Sequence, residues 1–400
     1  MIRRLFGSPS EEQRDLSFAD LWRRGLDGTD LATPSGATVN YTTALGLSSV
    51  YGAINLLSGT IASLGFDIYY KRGSSELAFR PLPQFARQMS RFYTNVEIIN
   101  QITVSLLTDG NAYLSTARNN SGTIEFIDVL DPISITPEMV TDDSGNQRII
   151  YTSSQAPGEV YTTRDITQFR MMQRPGQIKG VSPITAARDF IGLGLAQQDF
   201  AGSFFGNGSL PGAVVSVDGQ LSETGAAQLK QAWASVHGGA KNAHKLAVLT
   251  EGAKFSRISL SPSDAAWIEG SQHTVKDIAR LFGVPPFLLA DSTGSTSWGS
   301  GLKEMNLAMQ MYSLRPIVTR LEATMNQMLR SMGIEVAYFR FDLSKMSRNH
   351  PDRWSDYSTA INAGILSINE ARAWEGLGPV TDGDKHFMPL NLSPIDEPRP

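Results

Sequence analysis

Nucleophiles, paired acids and bases, metal ligands and phosphate-gripping loops each have a spacing that can be read from sequence. Cysteine is absent, which removes thiol nucleophiles, thiolate zinc sites, iron–sulfur clusters and disulfides. His237 and His244 flank Gly238-Gly239, but no third ligand is spaced to complete a metal site, so both read as solvated surface residues. His273 reads as a surface position in mid-helix. No glycine-rich loop ends in Lys-Ser/Thr, no His-Glu-x-x-His occurs, and no serine has glycines two places to either side. Nucleotide hydrolysis, zinc proteolysis and the hydrolase nucleophile elbow are therefore set aside. Gly192-Leu193-Gly194 lacks a third glycine and lies inside a helical stretch, where no dinucleotide would seat. Asp142-Asp143-Ser144-Gly145-Asn146 lacks the downstream Glu of a calcium loop and reads as a hairpin turn. Asp264 with Glu269, or Asp352 with Asp356, could serve a hydrolase, but nothing in the sequence orients them. No cofactor and no catalysis are expected.

What remains is a polar stretch, residues 291–301, set between two apolar helical segments. Ser292, Thr293, Ser295, Thr296, Ser297, Trp298 and Ser300 lie in it, with Lys303 just beyond. Such a loop buries little area and belongs in solvent or against a polar ligand. A surface linker has this composition. So does a mobile loop that meets a polyanion through hydroxyls and backbone amides, giving weak, salt-tolerant contacts.

The elements around it come from 400 residues, 41% of them apolar, enough for more than one core. Charged residues are 18%, against roughly 25% in an average soluble domain, a deficit that suggests surface covered by partners. The net charge of −4 opposes tight binding to nucleic acid phosphates. The longest uncharged apolar run, near Phe190–Ala196, is far short of the ~20 residues of a membrane span, and Met1–Gly7 has no apolar core of signal-peptide length. A soluble chain is expected.

Residues 1–38 read as a flexible arm. Val50, Ile54, Leu57, Ile61 and Leu64 mark a helix, Phe66–Tyr70 a strand, and Ile98, Ile99, Ile102, Leu106 and Leu107 a second helix capped by Asn95 and stopped by Asp109-Gly110. Short strands follow at Ala112–Leu114, Ile124–Leu130, Ile149–Tyr151 and Ile166–Phe169, making this region α+β. Ser182-Pro183 opens a helix to Phe205, whose glycines Gly192, Gly194 and Gly202 suit close approach of other helices. An insert follows, with strands at Ala213–Val217 and Leu246–Leu249 around a helix. A helix from Ser261 to Phe282 brackets it. A third long helix, Leu302–Met332, carries Pro316 in its interior, which predicts a kink near Leu314. Its stripe of Met305, Met309, Met325, Met328 and Met332 reads as adaptable core filling. Glu335–Phe341 alternates as a strand, and residues 352–376 are helical with a break at Ala363-Gly364.

Taken in order, several segments resemble the portal protein family of long-tailed bacteriophages. They are Ser48–Tyr51 through Ile61–Leu64, Gly180–Ile184, Phe204–Gly208, Ala279–Pro286, Ser295–Gly301, Leu314–Pro316 and Gly364–Arg372. The resemblance implies a ring, usually of 12 copies, at one capsid vertex of the virion, assembled in the host cytoplasm. Double-stranded DNA would pass through its channel without sequence preference. It also implies an α+β portal fold: a wing of residues 39–180 rejoined by a strand within 335–347, stem helices at 181–208 and 261–290, a small α/β clip at 209–260, a channel loop at 291–301, a long kinked helix at 302–334, and a short crown and tail at 348–400. Ile184, Ile191, Leu195, Ile268, Val275 and Ile278 would pack the stem between subunits. Gln220, Glu223, Lys230, His237, Lys241 and His244 of the clip would meet terminase and later the head completion or tail connector proteins. Major capsid and scaffold proteins would be further partners, with no membrane involved. Another connector or scaffold protein of the same particle is the alternative.

Overall fold

The computed structural model describes residues 33–73, 75–206, 214–216, 254–256, 274–290, 300–343 and 353–387. Asn40 opens the one-turn helix α1 (Tyr41–Ala44) through a reciprocal cap with Thr43. Helix α2 (Ser48–Ser63) buries Val50, Ile54, Leu57 and Ile61, the face its sequence spacing selects. β1 (Phe66–Arg72) and β2 (Ser75–Ala78) pair antiparallel, and α3 (Gln84–Arg87) is a single turn before α4 (Asn95–Thr108). The expected apolar positions of α4 are all buried, but its cap is Thr94 rather than Asn95. Thr94 N–H and Oγ1 donate to Glu97 Oε2, and Glu97 N–H donates back to Thr94 Oγ1. Asn95 is thereby free to accept from Met89 N–H at 2.8 Å and to donate to the carbonyls of Ala86 and Arg87, each at 3.2 Å.

Strands β3 (Asn111–Arg118), β4 (Ile124–Leu130), β5 (Ile135–Thr141), β6 (Gln147–Ser153), β7 (Ala156–Thr162) and β8 (Ile166–Arg170) follow. They form two three-stranded sheets, ordered β4-β3-β8 and β5-β6-β7. β5 and β7 are absent from the sequence reading. They carry Pro137 and Pro157 and lie at the two edges of their sheet, where a residue without an N–H is tolerated. Beyond them come α5 (Pro183–Ala186), α6 (Arg188–Gly206), β9 (Val214–Ser216), β10 (Lys254–Ser256), α7 (residues 274–282), a 3₁₀ turn at Pro286–Leu289 and α8 (Ser300–Ala308). A π-helical turn at Met309–Leu314, α9 (Arg315–Ser331), β11 (Ala337–Phe341), α10 (Arg353–Asn362) and α11 (Ile368–Trp374) complete the described chain.

These elements group into two compact units. The first comprises the described residues of Met1–Ser58, Gln101–Ser115 and Val129–Arg320. Tyr113, Ile135, Tyr151 and Ile166 form a core cluster in it, flanked by Leu130, Ile149 and Tyr161. β3 and β8 run antiparallel in register from Asn111↔Arg170 to Ser115↔Ile166. At the head of β3, Gly110 turns with φ +81° and meets Gly180. A Cβ on Gly110 would lie 2.3 Å from the Val181 carbonyl oxygen, and one on Gly180 would lie 2.4 Å from that of Gly110. The crossing is bonded on both sides: Asn111 Oδ1 accepts from Gly180 N–H at 2.7 Å and Asn111 Nδ2 donates to Gly180 O at 3.1 Å. Two residues on, Ser182 Oγ donates to Thr108 O at 2.7 Å and accepts from Thr185 N–H, capping α5.

The helix expected over residues 182–205 is thus two pieces, with Ala187 off helical geometry between α5 and α6. Ser182 fixes the direction of α5. The direction of α6 is set instead by Gly192 against Thr33 and by Gly194 against Leu47 and Thr274, contacts at which an added Cβ would come within 2.5 and 2.8 Å. One residue of offset reconciles the two. Among the described residues, Gly202 has no such neighbour within 4 Å.

The second unit comprises the described residues of Gly59–Asn100, Thr116–Asp128 and Leu321–Pro400. Its sheet is ordered β11-β1-β2, with Phe66↔Phe341 through Tyr70↔Ala337 in register. Phe66 stacks on Phe339 at 4.3 Å between ring centres. The outer edge of β11 is closed by α9: Asn326 Oδ1 accepts from Phe339 N–H and Glu322 Oε1 from Phe341 N–H, at 2.6 and 2.8 Å. Met325 and Met328 are buried on the same helix, as core filling predicts. Toward the C-terminus, a break at Ala363-Gly364 separates α10 from α11. Ser367 and Glu370 cap α11 reciprocally.

The glycines yield opposed predictions. Gly180→Ala or Gly110→Ala should cost about 3 kcal/mol through overpacking, with the strained φ adding at Gly110. Gly202→Ala should instead add roughly 0.5–1 kcal/mol, because a helical position with open space only gains propensity. Denaturant unfolding of the three variants beside the parent checks both signs.

Candidate functional site

The polar loop has both ends in the described structure, while residues 291–299, with Ser292, Thr293, Ser295, Thr296, Ser297 and Trp298, lie outside it. On the entering side, Phe282 and Val284 are buried and Gly283 turns with φ +66°. The 3₁₀ turn at Pro286–Leu289 sets Leu289 3.5 Å from where a Cβ on Gly52 would stand, and it ends at Ala290 in the left-handed region. On the leaving side, Ser300 begins α8, which also carries Lys303. The two sides are tied by one hydrogen bond, Ser313 Oγ donating to Gly283 O at 2.5 Å. That bond joins the C-terminal end of α7 to the π-helical turn.

A π-helical turn lies where the sequence predicts an interruption near Leu314. Pro316 has no N–H to continue the α ladder, and Arg315 N–H donates five residues back to Gln310 O. The turn thus takes in one extra residue. Met309 and Leu314 fall one π turn apart and are both buried, whereas Tyr312 is 76% exposed.

The six clip positions Gln220, Glu223, Lys230, His237, Lys241 and His244, like the predicted strand Leu246–Leu249, fall outside the described residues. The base of the insert is described: β9 pairs antiparallel with β10, Val214↔Ser256 through Ser216↔Lys254. Of the stem positions, Ile268 is outside the described residues, Leu195 and Val275 are half-buried, and Ile184, Ile191 and Ile278 are buried within a single chain. These last three give no free surface. Among the described side chains of α6, the exposed large apolar ones are Phe190, Leu193 and Phe200.

Beside the Gly110–Gly180 crossing lies an open hollow of about 830 Å³ in the first unit, lined among others by Asp109, Asn111, Asp131, Lys179, Ser182 and Arg188. Burial pushes the Asp109 carboxyl above the usual carboxylate range, although Asn111 Nδ2 donates to it at 3.0 Å and the Lys179 charge opposes the shift. Burial likewise raises Tyr113, reinforced by the Asp109 charge. Gln168 joins these groups, donating to Asn111 Oδ1 at 3.2 Å and to Tyr113 Oη at 3.3 Å, and accepting from Arg170 at 2.6 Å. Such a network holds backbone in place, and it presents no nucleophile paired with a base. Sequence reading missed it because Asn111 and Gln168 lie 57 residues apart. Among the described residues, no group of three or more His, Asp or Glu is placed to hold a metal ion. Asp264, Glu269 and Asp352 lie outside the described residues, and Asp356 is exposed on α10.

The fold is that of subunits from phage-like particles. A chain in the "virion of native gene transfer agent (GTA) particle" matches with a TM-score of 0.65 at 20% identity, over 85% of this chain and 94% of that one. An HK97-family phage portal protein from Corynebacterium diphtheriae matches with a TM-score of 0.53 at 17% identity, over 79% of this chain and 99% of that one. The family described as phage portal protein matches residues 48–376. The probable portal protein of Streptomyces phage phiC31 is 41% identical over 92% of this chain and 83% of its own length. The portal protein of Enterobacteria phage HK97 is 26% identical over 90% and 86%. The chain belongs to the phage portal protein family, whose members are structural components of the particle.

The buried carboxyl gives a pH-dependent prediction. Because the folded pKa of Asp109 is raised, the folded state favours its protonated form, and that contribution is lost as pH rises through the folded pKa. Asp109→Asn keeps an acceptor for Asn111. It should be more stable than the parent at pH 8, and the advantage should shrink toward pH 4, as read by thermal unfolding across pH.

Proposed function

We propose that this portal protein acts as a ring, of about twelve copies, at one capsid vertex of the virion, and that double-stranded DNA is packaged and ejected through its channel. The observation that carries this reading is the composition of the loop between α7 and α8. It is a Ser/Thr/Gly-rich segment without a basic cluster, and the elements on its two sides are joined by the Ser313–Gly283 hydrogen bond. Hydroxyls and amides so presented touch phosphates weakly, and a subunit of net charge −4 repeated around a channel repels duplex more than it grips it. DNA then moves without being trapped.

Support for closure comes from a neck of a gene transfer agent particle computed with C12 symmetry, to which this chain is similar with a TM-score of 0.64 at 21% identity. In this reading the insert between β9 and β10 is the clip. It docks terminase during packaging and head completion or tail connector proteins afterwards, while major capsid and scaffold proteins meet the wing. The ring is put together in the host cytoplasm and performs no chemistry of its own.

Replacing Ser295–Gly301 by a neutral linker of equal length should leave ring assembly intact in electron micrographs and sharply reduce packaged or retained DNA. Normal packaging with the loop replaced removes its proposed role.

A further inference from the structure

Two apolar stripes in the first unit lie uncovered. On α6, Phe190, Leu193 and Phe200 are 56%, 47% and 56% exposed. They recur at spacings of three and seven and so share one face, about 15 Å long at 1.5 Å per residue. On α8 and the π turn, Leu307, Met311 and Tyr312 are 48%, 46% and 76% exposed. Isolated exposed side chains are ordinary on a soluble protein, but two aligned stripes of Phe, Tyr, Leu and Met mark contact surfaces.

The π turn is itself informative. In an uninterrupted α-helix, Tyr312 would sit three residues after buried Met309, close to the buried face. The wider turn makes Met309 and Leu314 the buried pair and swings Tyr312 outward. Such turns concentrate at functional sites. The charges beside the stripes are complementary: Asp189, exposed on α6 and only 3.7 Å from Arg188 of its own chain, lies next to Leu193 and Phe200 on the helix face, while Arg315 and Arg320 are exposed just beyond the π turn.

A closed ring of identical chains needs two different surfaces that fit each other, because each copy meets one neighbour with one face and the next with another. We propose that the α6 stripe of one copy packs against the π-turn stripe of the adjacent copy, with Asp189 facing Arg315 and Arg320. This pairing rests on the ring reading above and specifies the contact on which closure depends.

The absence of cysteine makes the test clean. Phe190→Cys and Tyr312→Cys are made singly and together, and a second double variant carries Leu193→Cys with Met311→Cys in case the first pair disturbs folding. Assembled particles are treated with a short bis-maleimide and run on a denaturing gel, with the same samples imaged by electron microscopy. The expected result is a ladder of covalent multimers from either double variant, with both single variants left as monomers. Rings in the micrographs without a ladder from either double variant overturn this pairing and leave the ring reading standing. Dimers from Phe190→Cys alone also overturn it, because they show α6 meeting α6. An unsubstituted protein that forms no rings overturns the ring reading, and this pairing with it.

Discussion

Two backbone segments of the first unit cross where neither can carry a side chain. Gly110 and Gly180 approach so closely that a methyl group on either would overlap a carbonyl of the other strand. Contact that tight excludes water from the Gly180 amide, and a buried backbone group without a partner is costly. Asn111 resolves this by bonding both the N–H and the C=O of Gly180, and Gln168 holds Asn111 in turn. Ser182 then ties the start of α5 to the end of α4. The entry into α5 is therefore fixed by a polar lock rather than by apolar packing alone.

The chain is incomplete in a way its composition foreshadows. It carries few charges, yet α6 and the π turn leave rows of large apolar side chains in water. Helix α10 buries none of its ten residues. A monomer pays for such surface in solubility, whereas a closed assembly covers it between copies. The Ser313–Gly283 bond ties the exposed π turn to the end of α7.

Much of the fold was legible because it is local. The buried faces of α2 and α4, the strand after Gly65, the methionine filling of α9 and the break at Ala363-Gly364 all follow from periodicity and turn chemistry within about fifteen residues. The misses have physical causes. Thr94 outcompeted Asn95 as a cap because Glu97 completes a reciprocal pair. β5 and β7 hid behind their prolines, which edge positions permit. Pro316 was legible as an interruption, but the widened turn before it depends on what must stay buried, here Met309 and Leu314. For the candidate site, composition located the loop. The bonds that hold the surrounding backbone, Ser313 to Gly283 and Asn111 to Gly180, join residues 30 and 69 positions apart and leave no local trace.

The central claim is that copies of this chain close on themselves into a ring. The mass of the assembled particle, taken intact by native mass spectrometry, tests it most directly. The account predicts a single dominant species at a whole-number multiple of 43.6 kDa, near twelve copies, that holds its size on dilution. A lone 43.6 kDa polypeptide at every concentration, or a ladder of open oligomers that lengthens without limit, would contradict it.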